Sequence, residues 1–146
     1  MKKLKVCVID GQGGGIGSAI IKKLREKFLD KIEIIAIGTN SIATSAMLKA
    51  KANKGATGEN PVKILLENVD VIVGPISIIV GNSMLGELTP QMATSISMSP
   101  AKKLLLPFTQ ENIEVIGVMQ EPLPHMIDKL VEKIEEFLNV WSKCFL

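Results

Sequence analysis

A chain of 146 residues, 47% of them hydrophobic, is long enough to close one core around a central sheet. The formal net charge of +2 comes from interspersed Lys and Glu, which excludes a nucleic-acid footprint. With no Tyr, four Phe and one Trp, the chain also lacks the aromatic platforms that stack bases.

The first element is a β-branched run, Leu4 to Ile9, that reads as a central parallel strand. It runs into Asp10-Gly11-Gln12-Gly13-Gly14-Gly15-Ile16-Gly17, and Ile16, Ile20, Ile21, Leu24 and Phe28 then recur at helical spacing. Strand, glycine-rich turn and helix in that order point to a site for a nucleotide or another anion, because free N–H groups and the positive end of the helix dipole face the turn. Gly13 to Gly15 are expected to allow close approach, and Gly17 to allow tight helix–strand packing. The dinucleotide pattern G-x-G-x-x-G does not fit, since Ile16 or Ser18 falls where its last glycine belongs. Gly11, Gly15 and Gly17 instead give G-x-x-x-G-x-G, which resembles the cofactor loop of short-chain dehydrogenases. A turn that only lets helix pack on strand is the plainer alternative.

Ile32 to Ile37 reads as the second strand, ending in Gly38-Thr39-Asn40-Ser41. The acid that bonds a ribose at this position in NAD enzymes is missing, so Thr39 and Asn40 are candidates to meet a ribose or phosphate, or to cap the helix from Ser41 to Ala52. Residues 53–61 read as a loop, and Pro61 as the first residue of a short helix capped by Asn60. Val69 to Val73 is the third strand, followed by Gly74-Pro75-Ile76-Ser77. A right-handed crossover sets it beside the first strand and makes a switch point there. Ile78 to Leu85 reads either as a buried helix or as an irregular wall.

Thr89 and Pro90 open the next helix. Leu104 to Pro107 and Ile113 to Val118 read as strands too close in sequence for a parallel crossover, hence an antiparallel hairpin. From Leu123 the positions Met126, Ile127, Leu130, Val131, Ile134, Phe137, Leu138 and Trp141 describe the longest amphipathic helix. The apolar end Cys144-Phe145-Leu146 is expected to pack on its own domain or on a second subunit.

These elements predict one α/β domain over residues 1–146, a Rossmann-like three-layer sandwich. Its sheet is expected to be mainly parallel, with about five strands in the order 2-1-3-4-5 and an antiparallel edge strand. The binding crevice is expected to combine Asp10, Gly11, Gln12, Gly13, Gly14, Gly15, Ile16 and Gly17 with Thr39, Asn40, Gly74, Pro75, Ser77 and Asn82.

Several chemistries are excluded. Without Tyr there is no Tyr-x-x-x-Lys dyad for a short-chain dehydrogenase. Gly81-Asn82-Ser83-Met84-Leu85 lacks the last glycine of a nucleophile elbow, and one His, His125, with two separated Cys argues against a transition-metal site. A receiver domain needs a second acid where Gly74 stands. Cys7 and Cys144 form no C-x-x-C pair, and no signal-like apolar region follows the first residues, so a reducing cytoplasm is expected. The uncharged stretch 71–86 is too short and too broken by Gly74, Pro75 and Gly81 to span a bilayer.

Four blocks together, Val8 to Gly17, Gly38-Thr39-Asn40 with Ala43 to Lys49, Gly55 to Asn60, and Asn82 to Glu87 with Thr89-Pro90, resemble a bacterial family of short, stand-alone Rossmann-like proteins with no assigned function. The resemblance implies the fold and the choice of blocks, and it names no ligand. The leading expectation is a homo-oligomeric sensor or accessory protein that binds a nucleotide or dinucleotide, NAD(P) among the candidates. The alternatives are a small enzyme acting on a phosphorylated or nucleotide-like metabolite through Asp10, Asn40, Asn82 and Glu87, and a scaffold without ligand.

Overall fold

The structure is a computed structural model that describes residues 2–109 and 111–144. Phe145 and Leu146, with the expected apolar tail, lie outside the described residues. Five strands, β1 (Leu4–Asp10), β2 (Ile32–Gly38), β3 (Lys54–Thr57), β4 (Val71–Pro75) and β5 (Lys102–Leu106), form one sheet in the order β3-β2-β1-β4-β5. Every pairing is parallel. Helices flank this sheet on both faces, an α/β arrangement consistent with a Rossmann-like fold.

Side chains alternate across β1 and thereby build two cores. Leu4, Val6 and Val8 meet α1 (Gly15–Phe28) and α5 (Leu123–Lys143) through Ile20, Ile21, Leu24, Ile127, Leu130 and Ile134. Cys7 and Ile9 face α3 (Glu59–Leu65) and α4 (Pro90–Met98) through Val62, Met92 and Ile96. Helix α2 (Ser41–Lys49) joins the first layer by inserting Met47 beside α1. No described helix is long and apolar enough to cross a membrane.

Two expectations about the sheet are corrected. Residues 54–57 lie within the segment read as a loop, yet they pair with β2 from Ile35 opposite Lys54 to Gly38 opposite Thr57. An edge strand is covered on one side only and has no need of an apolar sequence. Ile113 to Val118 form no strand and no hairpin, so the antiparallel edge is absent among the described residues and the order is β3-β2-β1-β4-β5. Pro107 follows β5 directly, and the chain then turns over the carboxyl end of the sheet, which leaves Ile113, Val115, Ile116, Val118 and Met119 exposed.

Local details follow the chemistry of caps and turns. Asn40 caps α2 by accepting the Ala43 N–H at 2.9 Å, and Thr89 caps α4 by accepting that of Met92 at 3.1 Å. Helix α3 starts at Glu59 behind Gly58 (φ 96°), so Pro61 stands inside its first turn and Asn60 is not its cap. Residues 76–89 form an irregular wall of short turns rather than a helix, with positive φ at Asn82, Met84 and Leu85. Strand β4 runs on through Gly74 and Pro75, where Gly74 lies against β1 so tightly that a Cβ would stand 2.4 Å from the carbonyl oxygen of Ile9.

That distance sets an expected outcome. Gly74→Ala must displace backbone in the sheet centre and should cost about 1–3 kcal/mol or more, whereas Gly13→Ala, with no atom within 4 Å of the new Cβ, should stay within about 0.5 kcal/mol. Urea denaturation of both variants measures the difference, and equal effects would contradict this packing.

Candidate functional site

Between β1 and β4 the sheet order reverses, and at the carboxyl ends of the strands such a switch point leaves a crevice. Here a cavity of about 280 Å³ opens there. Asp10, Gln12 and Ile16 line it from the loop after β1, Pro75, Ser77 and Met84 from the wall after β4, and Phe108, Thr109 and Glu111 from the segment after β5. Two carboxylates and no Lys, Arg or His face this space among the described residues.

Asp10, the last residue of β1, is buried and holds the turn together. One carboxylate oxygen accepts the N–H of Gly11 at 2.8 Å and the other that of Gly17 at 2.7 Å, and the N–H of Ile16 also bonds to the carboxylate. The helix therefore directs two of its free N–H groups at its own strand. Burial pushes the Asp10 carboxyl above the usual carboxylate range, a push that the three N–H groups reduce and the charge of Glu87 reinforces.

Glu87 reaches the crevice from the far end of the wall. Its Oε1 accepts the Gln12 N–H at 2.8 Å, the Thr39 hydroxyl at 2.6 Å and the Asn40 amide Nδ2 at 2.8 Å. Nδ2 of Asn40 also donates to the carbonyl of Gln12 at 2.9 Å, so Asn40 is at once a helix cap and a clamp on the glycine loop. Burial raises the Glu87 carboxyl, but the donors from Thr39, Gln12 and Asn40 outweigh it and hold the group below its usual value. Gly11 lies directly underneath, where a Cβ would stand 2.4 Å from the Thr39 hydroxyl, 2.6 Å from the Met84 sulfur and 3.1 Å from Glu87 Oε1.

Of the residues expected at the site, Asp10, Gln12, Ile16, Pro75 and Ser77 line the cavity. Gly13 and Gly15, between Gln12 and Ile16, have open space on the side a Cβ would occupy. Gly11, Gly14, Gly17 and Gly74 are pressed against the protein itself, Gly14 at φ 74° upon the backbone of Ala43. Thr39 and Asn40 are turned to Glu87 rather than to the cavity. Asn82 lies apart on the exposed wall, its N–H donated to the carbonyl of Leu88 at 2.7 Å. Phe108, Thr109 and Glu111 fall between the two strands of the expected hairpin and line the cavity instead. The signal for them is Pro107, which ends β5 and makes the next residues a third loop at the carboxyl edge of the sheet.

Ser77 differs from its neighbours. It is 6% exposed and lines the cavity, and its carbonyl takes the Ser83 hydroxyl at 2.6 Å. Its own hydroxyl has no hydrogen-bond partner among the described residues. His125 is exposed in the first turn of α5. No three His, Cys, Asp or Glu gather to hold a metal among the described residues.

A model of a domain family matches residues 5–139. The chain belongs to the DUF3842 family, a domain of unknown function. The DUF3842 match runs from β1 into α5 and includes every residue of the crevice. No curated protein matches the chain.

Asp10 and Glu87 of this DUF3842 protein have opposite pH signatures. The folded protein binds the Asp10 proton more readily than the unfolded chain, so this group adds stability as pH falls through its raised pKa, and that increment is lost as pH rises. Glu87 contributes stability above its unfolded value that disappears as pH falls through its lowered pKa. Comparing urea unfolding between neutral and mildly acidic pH, Asp10→Asn should lack the acid-side gain of the wild type. Glu87→Ala should cost about 1–3 kcal/mol by stranding its donors, and Glu87→Gln, which keeps an acceptor oxygen, should cost less.

Proposed function

We propose that this DUF3842 protein is a Rossmann-like nucleotide-binding domain that takes a small nucleotide-like ligand into the cavity between β1, β4 and β5 and acts as a sensor or accessory protein. The observation that carries this reading is the start of helix α1 beside the cavity, where Gly13 and Gly15 keep N–H groups that no hydrogen bond among the described residues uses, next to the Ser77 hydroxyl of the cavity wall, which has no protein partner there either. Neither Gly13 nor Gly15 has a steric reason inside the fold to be glycine, and both lie where helix α1 begins.

A small enzyme acting on the same ligand is the second reading, favoured by the raised carboxyl of Asp10 at the cavity wall. In that case Asp10 is the group that would take or give a proton. Self-association remains part of the proposal and now rests on the exposed apolar run from Ile113 to Met119.

Native mass spectrometry of the purified protein, followed by thermal-shift titration with mononucleotides, dinucleotides, flavins and S-adenosylmethionine, tests the function. A ligand of the native state at a hundredfold excess over its Kd adds about 2.7 kcal/mol, enough to raise Tm by several degrees. Gly13→Asp should abolish that rise and leave the Tm without ligand nearly unchanged, and Ser77→Ala should weaken binding about tenfold. No retained or stabilising nucleotide, or full binding by Gly13→Asp, would overturn the reading.

A further inference from the structure

Binding across the whole switch point, from the tip of β2 to the tip of β4, is what a dinucleotide requires. In this protein the two halves of that path are not equally open. On the β2 side Thr39, Asn40 and the Gln12 N–H already converge on Glu87 Oε1, and Met84 lies beside them over Gly11. The groups that would meet a second ribose are thus spent on an internal carboxylate. The open volume begins on the other side of Met84 and extends to Glu111.

The backbone donors of the glycine loop show the same economy. The N–H of Gly11, Ile16 and Gly17 serves Asp10, that of Gln12 serves Glu87, and that of Gly14 serves the carbonyl of Gly11 at 2.9 Å. Gly13 and Gly15 keep the N–H groups that no hydrogen bond among the described residues uses. Two neighbouring donors suit one phosphate group. A pyrophosphate would bring a second group toward Asp10 and Glu87, where like charge repels it.

Resting on the nucleotide-binding reading, we infer that the site selects a nucleoside monophosphate or a monophosphate ester of similar size and rejects dinucleotides, with Glu87 and Met84 as the residues that set this limit. The single phosphate caps the start of α1 at Gly13 and Gly15. The uncharged body of the ligand enters the cavity, where Phe108, Ile16, Pro75 and Met84 give apolar contact and Asp10, Ser77 and Glu111 accept hydrogen bonds from hydroxyl or amino groups. A volume of about 280 Å³ is at the small end of ligand cavities. The acidic lining favours a ligand that offers donors there and keeps its negative charge at the rim.

Isothermal titration calorimetry of the full chain with adenosine monophosphate, nicotinamide mononucleotide and NAD tests this. At least one mononucleotide should bind, and NAD should bind no more tightly than that one. In Glu87→Ala, checked for folding by circular dichroism, the freed Thr39 and Asn40 should raise the affinity for NAD at least tenfold and leave that of the mononucleotide within about twofold. Wild-type protein that binds NAD at least tenfold more tightly than either mononucleotide would overturn the size limit while leaving nucleotide binding in place. An affinity for NAD that Glu87→Ala does not change would remove Glu87 from the limit. No heat from any of the three ligands would overturn the nucleotide reading and this inference with it.

Discussion

Oε1 of Glu87 gathers donors from the loop after β1, the tip of β2 and the cap of α2, segments brought together only by the fold. Each loop would otherwise leave a polar group facing a partly dry crevice, at a cost that one shared acceptor removes. The arrangement also explains Gly11, since any side chain there would push Thr39, Met84 and Glu87 apart. Around this contact the wall of residues 76–89 accepts left-handed backbone at Asn82, Met84 and Leu85, conformations that persist only where surrounding contacts impose them.

Asp10 plays the complementary part on the other side of the loop. A helix start is an anion site by construction, and in this chain it is half occupied by a carboxylate of the same polypeptide. The strand tip and the helix are thereby fastened to each other, and the N–H groups of Gly13 and Gly15 stay outside these internal bonds.

Much of the fold was legible because burial writes periodic patterns. The alternation in β1, the spacing of Ile20, Ile21 and Leu24, and the apolar stripe of α5 all follow from which face meets the sheet. Strand β3 was not legible, since its Lys54 and Gly55 are exposed and mark a strand only through pairing with β2. The expected hairpin failed for a related reason: Ile113 to Val118 has strand-forming residues, but Pro107 and the crevice redirect the chain before it. Glu87 was visible as a polar residue in apolar surroundings, yet its partners lie 75, 48 and 47 residues away, beyond any local pattern. Phe108, Thr109 and Glu111 needed the parallel register of β5 against β4 before they belonged to a site at all.

Cys7 sits in the middle of β1 between β2 and β4, fully buried, and burial pushes its thiol far up; Cys144 is exposed at the end of α5. An alkylating reagent meeting the folded protein therefore modifies Cys144 at once and reaches Cys7 only after the central strand has parted from both neighbours. The chain carries two clocks of very different period, one for its surface and one for the opening of its sheet.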